Sequence, residues 1–283
     1  MLDGITPQWL CWMFGKIARR YDLTNTVISA GLDTYWRRCL ARRAARYPAQ
    51  AILDVACGTG SVLRHLGRYC PSATRLIGVD VTAAMVQVGQ RRLAKAMRRR
   101  SLHLCVGDAH ALPYADQSFD VTTIVFGVRN FANPHAALVE CYRVLRAAGS
   151  LCVVEFSWPS RYAWRLLYGT YFRYILPLIA WPLSGERTAY RYLRDSVLAF
   201  RQQVRLEVLL HQVGFIEVRS EPLSGGIATL YTGRKPLMEP ATEETRYGNR
   251  LEHDQPGKGW SSGCCDPDQS AIERPAPTDG GGA

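Results

Sequence analysis

From Ala51 onward, short apolar runs alternate with longer segments in which apolar residues recur at helical spacing. The runs predict strands over 51–56, 76–80, 102–106, 121–126 and 150–156, and helices are predicted between them over 62–69, 83–97 and 134–145. Strands that are apolar nearly throughout are covered on both faces, and strands separated by helices pair in parallel. Upstream, Trp9, Trp12, Met13, Ile17 and Tyr21 fall near helical spacing, and 36–47 mixes arginines with apolar residues, so 9–47 reads as helical. The connecting stretch from Tyr21 to Gly31 carries Asp22, Asn25 and Ser29, which suit caps and turns.

After Phe156 the alternation breaks. Residues 158–183 are rich in aromatics, carry Arg161, Arg165 and Arg173, and are interrupted by Pro177 and Pro182. This stretch suits a lid over an apolar substrate, a membrane-interface segment, or two ordinary amphipathic helices closing the core. One helix is predicted over 189–213. Strands over 216–220 and 227–233, joined through Pro222 and Gly225-Gly226, suit an antiparallel hairpin at the sheet edge. From Pro236 the composition turns to Pro, Gly, Ser, Glu and Asp, which predicts a disordered tail over 236–283. The organisation expected is thus a helical cap over 1–50, an α/β domain over 51–235 with a lid-like helical insertion at 158–187, and the tail.

Composition narrows the function classes. Thirty-five basic against twenty-four acidic residues give a net charge of +11. That charge suits a membrane surface, nucleic acid or an acidic substrate, and equally suits an arginine-rich proteome. Neither an RNA-binding signature nor zinc-finger spacing is present, so nucleic acid is not an expected partner. The nine cysteines are scattered and form no C-x-x-C pair, which reads as reduced and mostly buried thiols, with Cys264 and Cys265 in the polar tail. The start of the chain shows no basic region followed by an apolar core, and no run of about 18 apolar residues occurs. A cytoplasmic protein is expected, associated at most with the inner face of the membrane; homodimerisation is left open.

The chemistry is concentrated at predicted strand ends. The first strand ends in Asp54-Val55-Ala56-Cys57-Gly58-Thr59-Gly60. Glycines one residue apart let backbone approach a ligand closely. Leu63 stands where a dinucleotide loop would carry its third glycine, and the carboxylate of Asp54 disfavours a pyrophosphate and favours a cation. This pattern resembles motif I of class I S-adenosylmethionine (SAM)-dependent methyltransferases, although a glycine turn after a strand is often only a turn. Asp80 ends the second strand, about 25 residues beyond Asp54, where a carboxylate can accept from both ribose hydroxyls or can cap the next helix together with Thr82. Asp108, in Gly107-Asp108-Ala109 after the third strand, can accept from an adenine amino group or make a turn. The three elements in order favour a cofactor site, lined by Asp54, Ala56, Gly58, Thr59, Gly60, Asp80, Val81, Met85, Asp108 and Ala109.

Several further stretches resemble the ubiquinone/menaquinone biosynthesis C-methyltransferases of the UbiE type. They are Phe14-Gly15-Lys16-Ile17-Ala18-Arg19-Arg20-Tyr21-Asp22 through Trp36-Arg37, then Leu112-Pro113-Tyr114, Ser118-Phe119-Asp120, Phe126-Gly127-Val128-Arg129-Asn130, Glu155-Phe156-Ser157 and Tyr190-Arg191-Tyr192-Leu193 with Ser196. The resemblance spans about residues 14–235. Ala147-Ala148-Gly149 departs from that family's usual Lys-Pro-Gly-Gly, and Arg201 stands where a proline is common. The resemblance implies a Rossmann-like seven-stranded mostly parallel sheet with helices on both faces, the antiparallel C-terminal edge hairpin and helical cap already expected, and methyl transfer from SAM to a ring carbon of a polyprenylated quinol without a metal. It leans to demethylmenaquinol, with the ubiquinone-pathway benzoquinol as the second acceptor. Arg129 is then the residue expected to stabilise a phenolate or, on the other reading, to form a structural ion pair. Asn130 orients a water, and Tyr21 approaches from the cap. Another small-molecule SAM methyltransferase, or a non-catalytic scaffold of quinone biosynthesis, stands as the alternative.

Overall fold

The fold is built outward from β1 (Ala51–Val55), whose five residues are all buried. The computed structural model describes residues 5–73, 75–99, 101–159, 162–171 and 186–237. On one side β1 pairs in parallel with β2 (Arg75–Asp80), which pairs in parallel with β3 (Ser101–Val106). On the other it pairs in parallel with β4 (Phe119–Val125), followed by parallel β5 (Leu145–Phe156). The hairpin of β6 (Ile216–Leu223) and β7 (Ala228–Arg234) adds antiparallel through β7, giving the seven-stranded order β3-β2-β1-β4-β5-β7-β6. Chain direction along the sheet reverses between β1 and β4, and a crevice opens beyond the carboxyl ends of strands at such a switch point.

Alternation along the strands divides the core between the two faces. Ile52, Val121 and Cys152 face a cluster with Trp36 and Leu40 of α3 (Leu32–Ala44) and Leu63 and Leu66 of α4 (Ser61–Tyr69). Leu53, Val153 and Leu151 face a cluster with Leu138 and Cys141 of α6 (Pro134–Val144) and Leu206 and Leu210 of α9 (Leu206–Val213). A third cluster joins Leu10, Met13 and Ile17 of α1 (Pro7–Ile17) to Met85 of α5 (Ala83–Arg99), Tyr168 of α7 (Tyr162–Thr170) and Tyr192 of α8 (Arg187–Gln203). It brings the N-terminal cap over the carboxyl ends of the strands. Trp36 fixes the cap on its other side: its buried ring meets Phe126 and Phe156 edge-on, and its Nε1 donates to Ser224 Oγ at 2.9 Å.

Three expectations need correction. Residues 21–31 are more than a capped link, because Tyr21–Ile28 forms α2. Residues 189–213 are not one helix: Val204 and Arg205 adopt extended backbone, ending α8 and starting α9. β5 starts at Leu145, with Phe119 paired to Leu145 and Val121 to Ser150, so residues 146–149 bulge out of the ladder. That bulge holds the Ala-Ala-Gly departure, and Ala148 sits there at φ +59°. The tail from residue 238 and positions 172–185 of the predicted insertion lie outside the described residues. Among the described residues no helix is long and apolar enough to cross a membrane, and the seven cysteines are free thiols.

Candidate active site

Between β1 and α4 the backbone enters the left-handed region three times, at Ala56, Gly58 and Gly60 (φ +55°, +55° and +73°). The two glycines serve different ends. A Cβ on Gly58 would meet nothing within 4 Å, so that edge of the loop is open to a ligand. A Cβ on Gly60 would stand 2.6 Å from Leu93 Cδ1, so Gly60 lets the loop close against α5 instead. The Gly58 N–H donates to Asp80 Oδ2 at 2.8 Å, and the Thr82 N–H donates to Asp80 Oδ1 at 2.8 Å. Asp80 therefore spans the mouth of the crevice with one backbone donor on each oxygen, leaving further acceptor capacity on both. Burial pushes its pKa up, against those same bonds.

Beyond the strand ends lies a cleft of about 180 Å³ that includes Ala56, Gly58, Asp80, Val81, Met85, Asp108, Ala109 and Asn130. Asp108 is the most exposed of its carboxylates. Burial acts to raise its pKa, but the backbone and ring N–H groups of His110, at 2.9 and 2.6 Å, outweigh it and hold the pKa low. The Asn133 N–H donates to His110 Nε2 at 3.2 Å, which assigns the ring proton to Nδ1. The turn reading of Asp108 is thus realised together with its place in the cleft.

Three residues expected at the cofactor do not line this cleft. Asp54 is buried beneath the cleft: its Oδ1 accepts from Thr123 Oγ1 at 2.6 Å, while its Oδ2 is buried without a partner among the described residues. Burial raises the Asp54 pKa to about 7; Thr123 and Arg37 oppose the rise and the Asp80 charge adds to it. The Thr59 hydroxyl donates to both carboxylate oxygens of Asp22 (2.9 and 2.7 Å) rather than entering the cleft. Gly60, as described, faces α5. The missed partner here is Asp22, which also receives Ser61 Oγ at 2.9 Å and the guanidinium of Arg92. Its position in the first turn of α2 looks in sequence like ordinary helix chemistry.

A second cavity of about 350 Å³ lies under the cap. Its walls are mainly apolar and aromatic, including Ile17, Ile28, Leu32, Trp36, Phe156 and Tyr168, with Asn25, Ser29, Asp33, Arg37 and Arg129 as polar exceptions. Phe14, Tyr21 and Phe126 line both spaces and mark where they meet. Phe126 holds φ +58°, a conformation that a bulky residue occupies only when its surroundings enforce it. Its ring stacks on Phe156 at 4.3 Å, and its carbonyl accepts from Arg129 Nη1 (2.6 Å) and Asn130 Nδ2 (3.3 Å).

Arg129 is buried and does form the ion pair that was one of its two readings: Nη1 lies 2.9 Å from Glu155 Oε1, and its backbone N–H donates to Glu155 Oε2 at 3.2 Å. Burial acts against its charge and the Glu155 carboxylate outweighs burial, so the guanidinium stays protonated. Its Nε, also buried, has no hydrogen-bond partner among the described residues. The Tyr192 hydroxyl donates to Asn130 Oδ1 at 2.8 Å, fixing the amide at the edge of the cleft. Glu155 and Tyr192 were visible only as parts of a resemblance; no spacing in the sequence links either to residues 129–130.

Comparison with known proteins agrees with this geometry. The ubiE/COQ5 methyltransferase family matches residues 6–235. The ubiquinone/menaquinone biosynthesis C-methyltransferase UbiE of Geobacter sp. (strain M21) is 39% identical over 223 residues, covering 79% of this chain and 94% of that protein. The demethylmenaquinone methyltransferase of Thermus thermophilus is 40% identical over 225 residues, covering 79% of this chain and all of that protein (100%). Among solved structures, a SAM-dependent methyltransferase structure from Methanococcus maripaludis shares the fold at TM-score 0.52 and 14% identity, over 79% of this chain and 94% of that one. With its sheet order, its glycine loop and these relatives in agreement, the chain belongs to the ubiE/COQ5 methyltransferase family.

Proposed function

We propose that the protein transfers a methyl group from SAM to a ring carbon of a polyprenylated quinol, demethylmenaquinol first and the ubiquinone-pathway benzoquinol second. The observation that carries this reading is the meeting of a polar cleft at the strand ends with a larger apolar cavity, across Phe14, Tyr21 and Phe126. One space suits a polar methyl donor and the other a greasy acceptor. The names of the relatives from Geobacter and Thermus favour the same acceptor class.

The cleft residues fit the donor. Gly58 leaves its side open, Asp80 offers two carboxylate oxygens to a diol, and Asp108 offers an acceptor near Ala109. Asp54, buried below with an unpartnered oxygen and a pKa raised to about 7 by burial, is a carboxyl that a cationic ligand above it would favour in its ionised form. When bound, SAM supplies an electrophilic methyl group. Val81 and Met85 would exclude water around it, and Tyr21 would border the reacting centre from the cap.

The acceptor ring must become a better nucleophile, and passing the proton of the hydroxyl beside the attacked carbon to water does this by giving enolate character. The ring carbon takes the methyl as the methyl–sulfur bond breaks, and after the ring proton leaves, the product phenolate takes a proton back. Arg129 stabilises the phenolate, since a fixed cation that is itself buried acts strongly on developing charge. A protonated arginine cannot take the ring proton afterwards, so a water held by Asn130 accepts it. Holding carbon and methyl in line contributes about 7 kcal/mol or more. The apolar cavity receives the start of the prenyl chain, and the positive charge of the chain suits contact with a membrane surface that carries such lipids.

The test is methyl transfer by the purified protein from SAM to chemically reduced demethylmenaquinol with a short prenyl chain, with the product located by NMR. The expected product carries one new ring methyl. Methylation at oxygen, or preference for unrelated phenols or amines over this quinol, would overturn the reading. An analogue without the prenyl chain should show a raised KM, and an unchanged KM would remove the cavity from chain binding.

A further inference from the structure

Arg129 shares the apolar cavity with a second buried cation. Arg37, on α3, also lines it, with its side chain 8% exposed. Its Nε is buried and makes no hydrogen bond among the described residues. Asp33, one helical turn earlier, neutralises it from 3.7 Å, too far for a hydrogen bond. Asp33 is itself fixed and lines the cavity: its Oδ1 accepts from Ser29 Oγ (3.2 Å) and Thr34 Oγ1 (3.3 Å), and its Oδ2 from Thr26 Oγ1 (3.4 Å). Burying a guanidinium with an unused donor is costly, and the cost is recovered only when an acceptor arrives. The Cζ atoms of Arg37 and Arg129 lie 5.8 and 6.0 Å from the centre of the Phe126 ring, so both bear on the region beside that one side chain.

The proposed acceptor carries an oxygen at each end of its ring. Arg129 answers the one beside the methylated carbon. The other would be desolvated in a mainly apolar cavity, where Arg37 brings a buried donor that has no hydrogen bond among the described residues. We infer that Arg37, seated on Asp33, binds this second ring oxygen and so sets specificity for a ring with two oxygens. Arg37 donates to the oxygen, and Asp33 accepts the hydroxyl proton. A donor alone would serve a carbonyl equally well; a donor beside a carboxylate matches a hydroxyl and therefore the reduced ring. The inference deepens the proposed function and rests on it.

The test compares two short-chain substrates: the quinol, and a mono-ol that keeps the hydroxyl beside the methylated carbon and lacks the one at the far end. The readout is the ratio of their kcat/KM values, which does not depend on how much of a variant is folded. The wild type should favour the quinol by on the order of 10- to 100-fold, the range for a hydrogen bond to a charged group. Arg37→Met should bring the ratio close to one. Arg37→Lys, which keeps the charge and loses the planar fork, should retain part of the preference, and Asp33→Asn should reduce it through loss of the hydroxyl acceptor. A ratio that stays at the wild-type value in all three variants would overturn the assignment, as would a wild type that methylates both rings equally. A wild type that methylates neither ring would bring down the proposed function itself and this inference with it.

Discussion

The buried Arg129–Glu155 pair allows a catalytic cation to be separated from a structural one. Glu155 is 1% exposed and accepts from Arg129 Nη1, the Arg129 N–H and the Phe156 N–H. Glu155→Gln keeps an acceptor for one of the two backbone donors, which bond to different carboxylate oxygens, and removes the charge, leaving a buried guanidinium without its counter-ion. Breaking a buried pair from one side costs about 3–5 kcal/mol, and the retained amide oxygen places this variant near 3. For a folded unit of this size that lowers Tm by about 6–12 °C. Arg129→Met should cost as much or more, because the carboxylate then stands alone. The double variant Arg129→Met with Glu155→Gln has no buried charge left at the site, and its stability should return to within about 2 kcal/mol of wild type. Activity should not return with it. Loss of the cation facing a phenolate should lower kcat by about 10²- to 10³-fold in both variants that lack Arg129. Urea melts give the stability cycle, and methyl transfer from labelled SAM at saturation gives the rate, with calorimetry showing SAM affinity near wild type. A double variant that is stable and turns over like wild type would reduce Arg129 to a structural ion pair and remove it from the chemistry.

Four further outcomes are expected. Asp80→Ala should weaken SAM binding by at least about 10-fold in calorimetry, since it removes a charged acceptor that also holds the Gly58 N–H; unchanged affinity would remove Asp80 from the site. Asp22→Ala frees the hydroxyls of Thr59 and Ser61 and the Arg92 guanidinium, and should loosen the glycine loop enough to raise the SAM Kd several-fold, with stability reduced by about 1–3 kcal/mol in urea melts. Asp54, with a folded pKa of about 7 against 3.8, holds its proton more tightly in the fold. Its contribution to stability is complete below about pH 4 and is lost as pH rises through 7, a change on the order of 4 kcal/mol that Asp54→Asn should remove from denaturation curves across that window. Trp36→Ala should cost about 3–5 kcal/mol through loss of its packing on Phe126 and Phe156, measured by the same melts.

Much of the framework could be read from patterning because its elements are locally determined. Runs such as Ile52-Leu53-Asp54-Val55 are strands in either direction of argument, and the hairpin through Gly225-Gly226 carries its own turn chemistry. Elements set by distant parts of the chain leave weak or misleading local signals. Val204 and Arg205 interrupt a helical pattern, since two extended residues leave no compositional mark. Leu145 pairs with Phe119 four residues before the Ala-Ala-Gly bulge ends, because strand pairing is settled across the sheet and not along it. The site divides in the same way. That Asp80 and Asp108 share one cleft follows from their place after strands. Whether Thr59 faces a ligand or Asp22 depends on where α2 comes to rest, and that contact spans 37 positions. Glu155 and Arg129 are likewise joined only through the pairing of β4 with β5.

The anchoring of Asp22 on Thr59 and Ser61 has a consequence for protein engineering. The N-terminal helices form much of the apolar cavity proposed for the acceptor and are an obvious segment to exchange between relatives in order to change what is methylated. Such a graft would not be modular. A foreign cap without a carboxylate at position 22 would release Arg92 and two hydroxyls on the loop that borders the donor cleft, so a change aimed at one substrate would reappear as a defect in handling the other. Chimeras should therefore carry residues 22, 59, 61 and 92 across together.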